Sequence, residues 1–194
     1  MQTIKTVSKL LFCMTIVALV AVPAASAATY GVDPVHTSVV FRIRHLNISY
    51  LYGRFTGVTG TLRFDEKMPA KSTLTIKIKS ANVDTANTKR DRDLKSANFF
   101  NAAKYPDIVF KSDSFAPTGK DSYEVKGHLT LLGVTQPLTV TLHKIGSGKD
   151  PWGNYRIGFE SRFTLKRSAF GMNYLLKGVG DRVNLMVAIE AIRK

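Results

Sequence analysis

Eight stretches of this chain alternate apolar and polar residues with a period of two, and that property restricts the fold more than any other. Thr37 to His45 carries Val39, Phe41 and Ile43 at one parity, against Ser38, Arg42 and Arg44 at the other. The pattern returns in Thr61 to Asp65, with Leu62 and Phe64, and in Ser72 to Ser80, with Leu74, Ile76 and Ile78. Ile108 and Phe110 share the fourth face, and Tyr123, Val125, Gly127, Leu129 and Leu131 the fifth. Leu138, Val140 and Leu142 make the sixth; Ile157, Phe159, Phe163 and Leu165, interrupted by Ser161, the seventh; Val183, Leu185, Val187 and Ile189 the eighth. Neighbouring side chains of a strand point to opposite sides, so each stretch is a strand with one buried face.

The connections are short. Pro117-Thr118-Gly119 and Gly133 to Gln136 read as turns, and Gly146 to Asn154 as a loop. Leu46 to Gly60, rich in glycine and aromatic residues, reads as an irregular approach to the second strand. Eight strands joined in this way predict an all-β fold: an eight-stranded antiparallel meander that closes into a barrel, because closure removes the exposed edges. In a soluble barrel the apolar face points in; in an outer-membrane barrel it meets lipid. The polar face here carries Arg42, Arg44, Lys77, Lys79, Lys126, Arg156 and Arg162. Crowding that uncompensated charge into a narrow lumen costs several kcal/mol per ion, which selects the soluble form.

One segment, Asp84 to Phe110, breaks the alternation. Lys89-Arg90-Asp91-Arg92-Asp93 is a dense mixed-charge block, followed by Leu94, Phe99 and Phe100. It predicts a short helical segment near residues 88–101, with Thr88 as N-cap and Asp91 as its capping-box partner. Pro106 marks the return to strand. The segment is either a plug, with the charged side wet and Phe99 and Phe100 sealing the barrel, or a solvated connector. A barrel with an apolar interior needs its ends covered, which favours the plug.

Residues 1–27 have the build of a secretory signal peptide: Lys5 and Lys9, an apolar run from Leu10 to Val22, and a small-residue site at Ala25-Ser26-Ala27. The expected mature domain is 28–194. Cys13 lies in the leader, so the exported part has no cysteine, which fits a Gram-negative periplasm. Without Lys5 and Lys9, basic residues still outnumber the 14 acids by about 12. The bases are spread along the chain without a nucleic-acid motif, so attraction to anionic headgroups is the use that suits an exported protein.

Motifs for chemistry are missing. His36, His45, His128 and His143 lack metal-ligand spacing, and no nucleophile elbow occurs. A His36–Asp33 or His45-centred site is conceivable, but satisfied structural histidines account for all four. The chain reads as a non-enzyme. The aromatic load on the inward face describes either a filled core or an apolar cavity, and periodicity does not choose between them.

A set of ordered matches does choose. Val32-Asp33-Pro34-Val35-His36-Thr37-Ser38, Gly53-Arg54-Phe55, Asp93-Leu94-Lys95-Ser96-Ala97-Asn98-Phe99-Phe100, Tyr105-Pro106, Gly127-His128-Leu129-Thr130 and Lys166-Arg167-Ser168-Ala169-Phe170-Gly171-Met172 resemble the YceI-like proteins over the whole expected mature chain. Tyr30 stands where that family often has Trp. The resemblance implies a lipocalin-like barrel whose pore holds a polyprenyl lipid or isoprenoid quinone, with no cofactor required. It implies a lipid-binding lining of Phe41, Ile43, Phe64, Ile76, Ile78, Phe99, Phe110, Leu129, Leu131, Phe159, Phe163, Leu165 and Phe170. Its expected partners are isoprenoid lipid and a membrane surface, not nucleic acid, with a homodimer left open. Two other roles compete: a stress-related structural or interaction protein with a filled barrel, and a quinone-linked partner of a membrane cytochrome.

Overall fold

The structure, a computed structural model, describes residues 27–194. The expected leader, 1–27, lies outside the described residues except for Ala27. The order of elements is β1 (Ala28–Val32), β2 (Ser38–His45), β3 (Ser49–Phe55), β4 (Thr59–Phe64), β5 (Thr73–Lys79), β6 (Val83–Asp84), α1 (Thr88–Lys95), β7 (Asp107–Gly119), β8 (Ser122–Leu131), β9 (Val134–Lys149), β10 (Tyr155–Lys166) and β11 (Val179–Arg193).

Neighbours in the sheet run β1-β4-β5-β7-β8-β9-β10-β11, and β1 pairs back onto β11 through Tyr30↔Arg193 and Val32↔Ala191. The ring is therefore closed and antiparallel. The remaining strands lengthen three of its staves. β2 continues β1 along the same edge of β11, pairing Ser38 with Ala188; β3 continues β4, and β6 continues β5. Eleven strands make eight staves, the number that the alternation predicts.

Each break has a local cause. At the first, Asp33 Oδ1 accepts from Val35 N (2.9 Å), and Pro34 has no N–H to offer a ladder. Thr37 then restores register, exchanging bonds with Glu190 O and N at 3.2 and 3.1 Å. Gly57, at φ +63°, turns the chain between β3 and β4. The third break is a 3-10 turn at Ser80–Asn82, where Ser80 Oγ donates to Tyr105 O at 2.6 Å.

The inward faces are those the alternation specifies: Val39, Phe41 and Ile43, then Leu74, Ile76 and Ile78, then Val125, Leu129 and Leu131 are all buried. Arg42, Arg44, Lys77, Lys79, Lys126 and Arg162 are exposed on the outside, and Arg156 is half-buried. At one end the barrel is filled. Phe64, Tyr123 and Phe159 meet edge-on, with centroids 5.3 to 6.5 Å apart, beneath fully buried Leu62, Val125 and Phe115. Each such side chain contributes about 1.5–3 kcal/mol, and edge-on ring pairs add about 0.5–1.5 kcal/mol.

Several boundaries differ from the sequence reading. Ser49–Phe55 is a regular strand, and Ala28–Val32 supplies the closing contact with β11. β7 runs through Pro117 to Gly119, with a register shift that accommodates the proline. The β8–β9 turn is tighter than Gly133 to Gln136, because Leu132 and Gly133, at φ +53° and +72°, reverse the chain alone. β9 extends to Lys149; the turn after it is tied by Asp150 Oδ1, which accepts from Trp152 N and Asn154 N. The helix is capped by Asn87, whose side chain accepts from Arg90 N at 3.0 Å, and Thr88 is its first helical residue.

Candidate ligand pore

Above the aromatic floor the barrel is hollow. A cavity of about 690 Å³ runs along its axis, walled by inward residues of every stave. Leu142, Val140 and Ile189 stand at its deep end, and Leu129, Leu131, Ile78 and Leu165 nearer the other. Two glycines keep the bore wide. The ring of Phe41 lies over Gly53, its partner in the β2–β3 ladder, and the ring of Phe110 lies over Gly127 on β8. A side chain at Gly53 would displace the Phe41 ring, and one at Gly127 would strike the Lys111 carbonyl oxygen as well as the Phe110 ring.

The cavity reaches solvent opposite the floor, where His45, Tyr50, Tyr52, Asp93 and Leu175 both line it and are exposed. β3 explains the opening. Its Arg54 and Phe55 pair with β6, but among the described residues no strand covers Ser49–Gly53 on that side. α1 lies there instead, contributing Arg90, Asp93 and Leu94 to the lining. The helix is pinned by a polar knot. Asp91 Oδ1 accepts from Thr85 N and Oγ1 at 2.9 and 2.5 Å, and Arg90 donates to Thr85 Oγ1 and O at 2.7 and 2.6 Å. The charge block is thus divided: Lys89, Arg92 and Asp93 are wet, while Arg90 and Asp91 brace the helix. Phe99 is buried edge-on to Tyr174 (5.4 Å), and Phe100 edge-on to Phe55 (5.4 Å), so the segment is a partial lid.

The facing rim is the loop 171–178, held by Arg167. This side chain is 2% exposed and donates to Gly180 O (3.0 Å), Met172 O (2.9 Å) and Val179 O (2.8 Å). Burial lowers its pKa from the usual guanidinium value, and Asp181 opposes that shift. Asp181 accepts from Ser168 N and Oγ, both at 2.9 Å. Burial alone would raise the Asp181 carboxyl, but these bonds bring it below the usual range.

Of the thirteen residues singled out in the sequence, all but Phe64, Phe159 and Phe170 line the cavity. Phe64 and Phe159 belong to the floor, because their staves converge there on Tyr123. Phe170 packs with Leu129, Leu131 and Leu165 where β9 and β10 have parted: β10 pairs with β9 only as far as Glu160↔His143. Alternation could have found Val183, Leu185 and Val187, which also line the pore. Nothing in the pattern points to Tyr50, Tyr52 or Arg90, which reach it because β3 has β2 on one side and, along Ser49–Gly53, no second strand on the other among the described residues. One polar atom stands out in the wall: Ser161 Oγ is buried and has no hydrogen-bond partner among the described residues.

Two of the four histidines, His36 and His128, make side-chain contacts, whereas His45 stands exposed at the mouth. His36 Nδ1 lies 2.8 Å from Asp33 Oδ2, and His128 Nδ1 2.8 Å from Asp113 Oδ2. Asp33, His36 and Glu190 converge closely enough to suggest a metal centre. However, Arg156 Nη1 already donates to Asp33 Oδ2 and Glu190 Oε1, each at 2.7 Å, and its Nε to Asp150 Oδ2 at 2.7 Å. The guanidinium supplies the positive charge a cation would bring, and the cluster ties the first strand break to β10 and β11.

A closed antiparallel barrel around an apolar bore, floored at one end and open at the other, defines a ligand-enclosing barrel. The comparisons are specific. The model of the YceI-like domain matches residues 30–191, and protein YceI of Escherichia coli O6:H1 is 42% identical over 172 residues, 88% of this chain and 90% of that one. The chain belongs to the YceI-like family. Burkholderia cenocepacia BcnA shares its fold, with a TM-score of 0.75 and 23% identity over 82% of this chain and 98% of that one. So does a polyisoprenoid binding domain from Saccharophagus degradans, with a TM-score of 0.65 and 12% identity over 87% and 99%.

Proposed function

We propose that the protein is a periplasmic carrier that sequesters a long-chain isoprenoid lipid, of polyprenyl or isoprenoid-quinone type, and that it acts by binding rather than catalysis. The observation that carries this reading is the continuous 690 Å³ bore, walled by aliphatic and aromatic residues and open at one end. The polyisoprenoid-binding barrel with the same fold supports the ligand class. From Ile189 to Val179, β11 matches about eight residue steps of its neighbouring stave, since its register shifts between Val179 and Val183; at about 3.3 Å per residue and a tilt of about 40°, the bore is roughly 20 Å deep. That shape suits a slender chain rather than a compact ligand. At about 0.8 kcal/mol per methylene-sized group, a five-carbon unit contributes roughly 4 kcal/mol before costs. A few such units exceed the price of ordering the chain without any charged anchor. The bore also counts against a filled barrel with a purely structural role.

The test is direct. Mature protein is purified without detergent, extracted with organic solvent and analysed by mass spectrometry, and the stripped protein is offered an isoprenoid quinone. Recovery of a polyprenyl chain, or stoichiometric uptake with a raised Tm, supports the reading. Neither recovery nor uptake would sink it.

A further inference from the structure

The opening of the pore is rimmed by apolar side chains that stand exposed among the described residues. Ile48, at the tip of the β2–β3 turn, is 85% exposed; Leu46 beside it, 55%; Leu175 and Leu176, on the facing loop, 51% and 40%. The two segments form one rim, because Leu46 N donates to Gly178 O at 2.7 Å. Tyr174, Tyr50 and Tyr52, each with an apolar ring and a polar tip, surround it and are also exposed. Around these stand Lys177 on the rim and Lys89, Arg92 and Lys95 on α1, all exposed and without an ion-pair partner among the described residues.

Apolar tips at the centre, amphipathic rings beside them and free cations outside are the layers that a bilayer surface matches in turn: acyl boundary, interface and anionic headgroups. We propose that the rim is a docking surface for an anionic lipid bilayer and that the barrel sits on it mouth down, so that a chain passes between leaflet and bore without crossing water. The proposal rests on the reading of the bore as a lipid site and adds the partner from which that site is loaded. Charge favours this occupant over a second copy of the chain, since two rims facing each other would bring like charges together. The opposite end also exposes apolar residues, Trp152 at 79% and Val35 at 81%, but the bore does not open there.

The experiment is flotation of the stripped mature protein with vesicles of phosphatidylcholine and phosphatidylglycerol, and with phosphatidylcholine alone. Wild type is expected to float with the mixed vesicles and to be released by salt. Ile48→Glu with Leu176→Glu, neither of which lines the bore, should weaken flotation about tenfold or more, whereas Trp152→Glu leaves it unchanged. The same proteins are offered an isoprenoid quinone in detergent; unaltered uptake by the rim variant shows that its fold and bore are intact. The proposal is overturned if wild type does not float, if the rim variant floats equally well, if Trp152→Glu is the change that abolishes flotation, or if the rim substitutions only convert a dimer to a monomer. Failure of wild type to take up quinone from detergent, whatever it does with vesicles, overturns the reading of the bore instead.

Discussion

The ring of Phe41 rests on the backbone of Gly53: a Cβ placed at Gly53 would stand 2.3 Å from Phe41 Cζ. The bore is open at this level because one stave has no side chain where its neighbour has a large one. Gly53→Ala is expected to lower stability by about 1–3 kcal/mol, the usual cost of overpacking, and to reduce quinone uptake. Phe41→Leu in the same chain should restore part of the stability, and a double-mutant cycle in urea measures the coupling. Additive effects would show that the ring does not depend on the glycine.

Phe99 partly covers the mouth by packing edge-on against Tyr174. Phe99→Asp together with Phe100→Asp places two carboxylates where two rings are packed, and should weaken folding, lipid retention or both. To separate the two effects, Phe99→Ala should remain folded while releasing bound quinone faster, as followed by transfer to acceptor vesicles. A double variant with unaltered stability and lipid content would make the segment a mere connector.

Acid should loosen the cluster around Arg156. Burial by itself would raise the Asp33 carboxyl, but hydrogen bonds from His36 and Arg156 outweigh it and hold the group well below the usual carboxylate range. The Arg156 guanidinium likewise lowers Asp150 to about 2. Both folded-state values are depressed, so their stabilisation is complete above the unfolded aspartate value near 3.8 and is lost as pH falls from there toward 2. Urea midpoints should be flat in this respect from pH 7 to about 5 and drop steeply below about 4. Asp33→Asn should make that drop shallower; an identical profile would remove Asp33 from the account.

Ser161 presents a buried hydroxyl without a partner in an apolar wall. Ser161→Ala removes that burden and should stabilise the stripped protein by about 1 kcal/mol in urea unfolding. A loss of stability would mean that the hydroxyl is satisfied in solution.

Much of the barrel is legible in the chain, for a physical reason. A sheet buried on one face imposes a period of two, and Phe41, Ile43, Ile76, Ile78 and Leu129 obey it because a one-residue slip would turn each of them outward. The lid was legible too, since Phe99 and Phe100 follow a charge block that cannot be a strand. Alternation says which side a residue faces and not how deep it lies. Phe159 shares parity with Phe163 along β10, yet Phe159 forms the floor with Phe64 while Phe163 lines the bore.

By itself, then, the sequence determined an antiparallel barrel with an apolar interior and an isoprenoid-sized expectation for its contents, because parity and family motifs are local. Only the tertiary structure decided how far the hollow extends, what floors it and where it opens. Gly53 and Gly127 keep the bore wide by receiving rings from other strands. The mouth exists because β3, paired with β2 on one side, has no second strand along Ser49–Gly53 among the described residues, so that α1 stands in for one. Both depend on which residues meet across the ring, and that becomes defined only when β1 closes onto β11.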